Sequence, residues 1–333
     1  MESVQCQNNL LQVSFILEWE NVKTSELARC KKMLRILAAQ ANAIRKAQPG
    51  YQEMGRFELF VLYDEQKLEP KPIEAIIRQE MGADNSDFKL QLIGAEGGQK
   101  QYYNLKNAGA RLAGGDILVF IDSDVVPNPG WLVGMLAPFT DPDIQVVGGN
   151  CYIDPYNLYA RTFGLFWFFP LKPEDSILRK AERFFANNVA FRKEVFHNHP
   201  FPAMPNGVAR GSCARLAAEL RQNGITIYRA TSARVSHPPP PSFVKKALSN
   251  GRDRELRQRE AGVQSLLRAL TDFCRNVFLA IRNVVTHHHK VDMSTVLVPG
   301  AILIVLAYNS LSLVGQLMTK IAPEFMRKSI NEY

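Results

Sequence analysis

The stretch Ile117-Leu118-Val119-Phe120-Ile121-Asp122-Ser123-Asp124 decides the fold. Asp116 to Ile121 is apolar after its first residue, the composition of a parallel strand covered on both faces. Two carboxylates, one residue apart, follow it directly. Where a strand ends the chain leaves the sheet, so the spacing predicts that both acids reach a ligand at the sheet's edge. Two hard anionic oxygen donors in that place suit Mg²⁺ or Mn²⁺ that also binds a diphosphate.

Working outward, short apolar runs alternate with helical periods. Val13 to Leu17, Phe57 to Tyr63 and Phe88 to Ile93 read as strands. Ser25 to Ala41, Pro72 to Met81 and Gln101 to Leu112 read as helices between them. This β-α-β-α order predicts the α/β class, with an open, mostly parallel sheet that binds ligands at the carboxyl ends of its strands. A nicotinamide-dependent dehydrogenase is disfavoured, because no G-x-G-x-x-G follows a strand and Gly94 to Gly98 has the wrong spacing.

The chain has 333 residues, 40 basic and 32 acidic, for a net charge of +8. With 46% hydrophobic and 22% charged residues it is a folded protein rather than a disordered one. Its five cysteines are scattered and form no C-x-x-C, which argues against a disulfide scaffold or a zinc knuckle and for a reducing compartment. The first residues lack the basic-then-apolar pattern of a signal peptide.

The C-terminal third differs in character. Residues 245–292 form a basic amphipathic juxtamembrane region, in which Lys245 to Lys290 carries ten basic and four acidic residues. Within it, Leu266 to Val285 suits an amphipathic helix lying on anionic lipid. His287 to His289 reads as part of the same interfacial patch. Residues 293–319 contain no charged residue in 27 positions and read as a transmembrane helix, with a buried core helix as the alternative. The basic stretch before it predicts a membrane protein whose bulk faces the cytoplasm. Nucleic acid is not an expected partner, since the basic residues cluster beside the apolar segment without interleaved aromatics. The aromatic run Phe163 to Pro170 reads either as core packing under a loop or as a lid for a lipid-like acceptor.

The ordered motifs resemble glycosyltransferase family 2, which has the GT-A fold. The matching residues are Leu105-Lys106-Asn107-Ala108-Gly109, Gly115-Asp116, Asp122-Ser123-Asp124 and Pro127. Glu18 to Asn21, Tyr63-Asp64-Glu65, Asn187 to Phe196, Gly211 to Gly224 and the strand ending at His237 fit further blocks in order. The resemblance covers residues 12–240, with a nucleotide-binding half at about 12–125 and an acceptor half at about 126–240. It implies a nucleotide-diphospho-sugar donor, Mn²⁺ or Mg²⁺, and a lipid-linked or polysaccharide acceptor. It also implies donor-binding roles for Glu18, Asn21, Asp64, Lys106, Asn107, Asp122 and Ser123. Asp64 would read a uracil or guanine edge; a solvated strand-end carboxylate is the alternative. Lys106 would face the phosphates; a solvated helix face is the alternative. Asp122, Asp124 and His237 would hold the metal.

The chain departs from the family at the acceptor base. Ser212 and Cys213 stand where the family has Glu and Asp, and neither is a base at neutral pH without activation. Three accounts follow. Another carboxylate acts, with Asp154, Glu174 and Asp175 as candidates; or the acceptor is an anionic phosphate that needs no base, which Arg210 would suit; or the chain is a nucleotide-sugar-binding membrane scaffold that no longer transfers. The first loop also lacks the family's usual proline.

Overall fold

The computed structural model describes residues 11–23, 26–47, 57–82, 87–95, 102–167, 171–172, 175–204, 208, 211–262 and 265–330. The chain forms two compact units. One comprises residues 1–150, 174–203 and 212–235; the other comprises 151–173, 204–211 and 236–333.

The first unit is built on a sheet. Strands β1 (Val13–Glu18), β2 (Phe57–Asp64), β3 (Phe88–Ala95) and β4 (Ile117–Asp122) run parallel in the order β3-β2-β1-β4. Helices α1 (Leu27–Ala47), α2 (Pro70–Met81) and α3 (Tyr102–Leu112) follow the first three strands. Every residue of β1, β2 and β4 is buried, as their unbroken apolar runs require. β3, at the edge, is only half buried. The sheet continues through β5 (Val126–Pro127), β6 (Val146–Ile153), β8 (Asn188–Arg192) and β9 (Ile227–His237), with β7 (Leu178–Ala181) paired to β9. Here the pairing turns antiparallel, β8 lying between β4 and β6. The sheet is thus mixed, with β3-β2-β1-β4 parallel and β8 antiparallel to both of its neighbours.

The strand order places a topological switch between β1 and β4, since the chain goes from β1 outward to β2 and β3 before returning to β1's other side. The crevice at such a switch point lies outside the carboxyl ends of the two strands. At the opposite, amino end the same strands are sealed. The Ser14 hydroxyl donates to Glu58 (2.6 Å), the Gly115 amide donates to Ser14 (2.9 Å), and Gln12 N–H donates to Asp116 (2.9 Å). Gly115-Asp116 therefore serves the fold, and its place in the motif reports where β4 starts.

The strands extend one or two residues further than the apolar runs suggest. Glu18, Asp64 and Asp122 are the last residues of their strands rather than the first of a loop. Helix α1 runs on to Ala47, since nothing in its sequence breaks it before that point.

The second unit is helical: α5 (Leu158–Phe166), α8 (Phe243–Glu260), α9 (Leu266–His287), α10 (Val298–Ile321) and α11 (Pro323–Ser329). Short helices α4 (Trp131–Leu136) and α6 (Lys193–Asn198), and α7 (Ser212–Gln222), belong to the first unit. Residues 151–173, expected in an acceptor half of the sheet domain, instead group with the C-terminal helices. The reason is aromatic packing: Phe163 is fully buried against Tyr159 (4.7 Å between ring centroids), Phe166 (4.8 Å), Tyr308 (5.2 Å) and Phe243 (6.4 Å). The described part of the aromatic run is thus core; Phe168 to Pro170 lie outside the described residues. Helix α10 starts at Val298 with Pro299 in its first turn, where the missing N–H costs nothing. The segment Thr295–Ile321 is long and apolar enough to cross a membrane, and 28% of its most apolar window is buried.

One position tests the sheet's packing. A Cβ on Gly149 would collide with the Ala233 carbonyl and the Asn188 amide. Gly149→Ala is expected to destabilise the chain by about 1–3 kcal/mol, the usual range for overpacking a core, as read by urea unfolding.

Candidate active site at the β1–β4 crevice

Parallel pairing sets Glu18 directly beside Asp122, so both side chains leave the sheet on one face. Phe120, two residues before Asp122, shares that face, and helix α3 covers it. Lys106 on α3 is completely buried. Its ammonium lies 2.6 Å from Asp122 Oδ1, 4.8 Å from the Tyr102 ring centre and 5.8 Å from that of Phe120. Asp122 also accepts from the Tyr102 hydroxyl at 2.8 Å on each oxygen and from Asn21 Nδ2 at 3.1 Å. Both Asp122 oxygens are therefore engaged by protein donors.

Glu18 is the less balanced partner. Its Oε1 accepts from the Asn21 amide (3.2 Å), while its Oε2 is buried without a hydrogen-bond partner. Burial first, and then the nearby Asp122 carboxylate, push its pKa well above the usual carboxylate range, with Lys106 pulling the other way. Asp122 is raised too, by burial, with Lys106 opposing. Burial and the Asp122 charge likewise raise the Tyr102 phenol, which stays a donor.

Past the strand end, Ser123 is buried, its N–H donating to the Glu18 carbonyl (3.3 Å). Asp124 is 6% exposed and its backbone carbonyl accepts from Arg29 Nε (2.5 Å). Arg29 thus fixes the turn that carries the second acid. Of the pair, only Asp124 leaves the strand; Asp122 remains in register and turns inward to Lys106.

The other expected donor-binding residues are placed apart. Asp64 is fully buried, so it is not a solvated carboxylate. It accepts from Gln66 N–H (3.1 Å) and pairs with Lys67 (2.9 Å), while its own N–H donates to Glu20 (2.9 Å). Lys106 is likewise not on a solvated helix face, and its charge is spent inward on Asp122. Asn107 brackets Phe201, donating to its carbonyl (2.8 Å) and accepting from its N–H (3.1 Å), which is a structural task. Ser212 donates to the Pro202 carbonyl (2.7 Å) at the start of α7. Cys213 accepts from the Tyr103 hydroxyl (3.5 Å), and burial raises its thiol, so a thiolate base is not available there. His237 ends β9 and belongs to the second compact unit. Its Nδ1 lies 2.6 Å from the Pro238 carbonyl. A carbonyl only accepts, so Nδ1 carries the proton and Nε2 is the ring's basic nitrogen. Glu174 and Arg210 lie outside the described residues. Tyr102, Arg29 and Glu20 were not anticipated; Tyr102 stands four residues before Lys106, a spacing that places two side chains on one helix face.

Among the described residues, no three His, Cys, Asp or Glu side chains gather into a group that could enclose a metal. The fit to a divalent cation rests on charge. Glu18 and Asp122 share the buried Lys106 ammonium, and Glu18 keeps an oxygen with no hydrogen-bond donor. A carboxylate site with an oxygen left unpartnered suits Mg²⁺ or Mn²⁺ completed by a substrate's phosphates rather than a closed protein cage.

Residues 47–200 match the model for glycosyl transferase family 2. Over that span the chain is similar to glycosyl transferase family 2. The matched span holds Asp64, Lys106, Asn107 and the Asp122-Ser123-Asp124 turn. A mannosyltransferase from Pyrobaculum calidifontis, solved in complex with GDP-Man and Mn²⁺, has a similar fold: TM-score 0.52, 13% identity, covering 95% of this chain and 89% of that one. S. aureus TarS residues 1–349 align with TM-score 0.47 at 12% identity, over 93% and 91% of the two chains. GalNAc-T7, solved with UDP, GalNAc and Mn²⁺, aligns with TM-score 0.47 at 14% identity, over 70% and 44%. No curated protein matches the sequence. The fold is GT-A, and by family and fold the chain is a glycosyltransferase.

Two outcomes test this family 2 site. Lys106→Met leaves the Asp122 charge buried and unpaired and is expected to cost about 3–5 kcal/mol; adding Asp122→Asn should recover part of the loss, as read by urea unfolding. The second concerns pH. A carboxyl raised in the folded state holds its proton more tightly than the unfolded chain does. Stability therefore falls as pH climbs above the ordinary carboxylate value. Without divalent cations, melting temperature should decline as pH rises above the ordinary carboxylate range, and Glu18→Gln should flatten that decline.

Proposed function

We propose that the chain transfers a sugar from a nucleotide-diphospho-sugar donor, with inversion, to an acceptor at the membrane. The observation that carries this reading is the acid excess at the β1–β4 switch point, with Asp124 leaving the strand just beyond the buried Lys106–Asp122 pair. Asp124 would be a metal ligand. Mn²⁺ or Mg²⁺ there would act as a Lewis acid that offsets charge on the departing diphosphate.

Asp122 and Lys106 act by position in this account. Their ion pair, with Tyr102 and Asn21, holds the turn so that Asp124 faces the crevice without rearrangement during the reaction. Asp64 would meet the base only by releasing Lys67, and it is proposed as a base-recognition residue on those terms. Ser123 and Asn21 line the same strand ends.

The acceptor step lacks its usual base. Cys213 has a raised thiol and Ser212 is committed to Pro202. An anionic acceptor such as a lipid-linked phosphate needs no proton removed, and we favour that acceptor class over a hydroxyl. We further propose attachment to a membrane through the C-terminal helices, on the anionic cytoplasmic leaflet that basic residues prefer. The same Cys213 burial favours a second reading, a nucleotide-sugar-binding scaffold that no longer transfers.

Nucleotide-sugar hydrolysis and transfer, assayed with Mn²⁺ on detergent-purified protein, test both readings. Asp124→Asn is expected to lower turnover by at least about a hundredfold, the loss of several kcal/mol of charge stabilisation. Unchanged turnover in that variant contradicts the metal role. Donor binding by calorimetry with no turnover in the unmodified chain favours the scaffold.

A further inference from the structure

Helix α10 is inverted relative to a helix in a water-soluble core. Its buried positions include Tyr308, Asn309, Ser312, Gly315, Gln316 and Thr319. Its exposed positions include Leu303, Leu306, Val314, Met318 and Ile321, with Leu303 at 67% and Ile321 at 85%. The spacing of these exposed residues keeps them on one stripe along the helix. Polar inside and apolar outside is the arrangement of a surface that faces lipid.

What lies against the polar side decides how the lipid is met. Helix α8 packs along the second half of α10 in parallel, backbone to backbone. A Cβ on Gly251 would strike the Ser312 carbonyl, and one on Gly315 would strike the Leu248 carbonyl. Contacts then rise together: Asn250 donates to the Tyr308 hydroxyl, Gln316 donates to Gln258 (2.9 Å), and Arg259 donates to the carbonyls of Thr319 (2.8 Å) and Lys320 (3.0 Å). Over this length α8 carries Arg252, Asp253, Glu255 and Arg259, with Arg252 paired to Asp253 at 2.9 Å. If α10 crossed a bilayer, these charges would sit at the depth of its second half. Ionised side chains at that depth are rare because they are costly to desolvate.

Helix α9 adds the charge that selects the lipid. Ala280 and Val284 pack on Ala301 and Val305 of α10. Its outward positions carry Leu267, Leu270 and Phe278. Arg268, Arg275 and Arg282, seven residues apart and all exposed, form a stripe along the helix. An apolar stripe bordered by arginines fits an anionic interface in which the helix lies flat.

We propose that α9 and α10 lie in the plane of one leaflet of an anionic membrane, and that α10 does not cross it. The exposed stripe of α10, about 27 Å from Leu303 to Ile321, enters the acyl boundary along its whole length while α8 keeps its charges on the aqueous side. This rests on the membrane attachment proposed above and replaces a crossing with a one-sided seat.

The test uses the full chain with Cys6 and Cys274 replaced by serine, and single cysteines introduced by Leu112→Cys, Ser294→Cys or Lys328→Cys. Each variant is labelled in sealed membrane vesicles with an impermeant maleimide before and after detergent. The expected result is that all three positions share one side. Ser294→Cys and Lys328→Cys on opposite sides would overturn the in-plane seat while leaving membrane attachment intact. Flotation with phosphatidylcholine vesicles, with and without phosphatidylglycerol, tests the attachment separately. Arg268→Glu with Arg275→Glu and Arg282→Glu is expected to weaken binding to the anionic vesicles by more than about tenfold. No flotation of the unmodified chain with either vesicle would overturn both statements.

Discussion

A single ammonium, Lys106, enclosed completely beneath the end of β4, is the charge on which the crevice depends. It faces Asp122 at 2.6 Å with two aromatic rings beside it. An ion pair this deep is weak evidence of added stability, because desolvating both partners offsets most of their attraction. Its effect is positional. Asp122 is turned inward, Tyr102 and Asn21 are drawn to it, and α3 is fixed against the sheet. The strand then ends on a residue tied inward, and Asp124 follows it in the turn that Arg29 holds.

The same constraint explains the uneven charges. Parallel register puts Glu18 next to Asp122 whatever the electrostatics prefer. One lysine cannot serve both, so Glu18 is left with a buried oxygen and a proton it holds tightly. In the function proposed above, a cationic or metal-bearing partner would answer this surplus in the working state. The amino end of the sheet offers the contrast. There the Glu58 carboxylate is met by the Ser14 hydroxyl and the Gly114 N–H, and Gly115 N–H closes onto Ser14.

Much of the fold was legible because burial on both faces leaves an unmistakable apolar run. The four parallel strands, the helices between them and the amphipathic Leu266 segment were all readable from period and length. The site was less so, for a physical reason. Whether an acid at a strand's end points into the sheet or away depends on one residue of register, which a D-x-D spacing does not convey. Lys106 looked equally suited to water or phosphate because its true partner lies sixteen residues away, across a helix-to-strand contact. Asn107 carried a motif position but holds Phe201. Residues 151–173 left their expected half because their aromatics find partners at Phe243 and Tyr308, far along the chain. For α10, summed hydropathy records how apolar the helix is and not which side is apolar, so the inward polar stripe was invisible until its neighbours were known.

The central claim is that Asp124, set in place by the Lys106–Asp122 pair, is where a divalent ion and a nucleoside diphosphate meet. Crystals grown with Mn²⁺ and a nucleoside diphosphate, measured at the manganese absorption edge, test it most directly. The account predicts one anomalous peak against the Asp124 carboxylate at the carboxyl ends of β1 and β4, with Lys106 still on Asp122. Nucleotide bound in that crevice with no peak there, or a peak held by other residues, would contradict it.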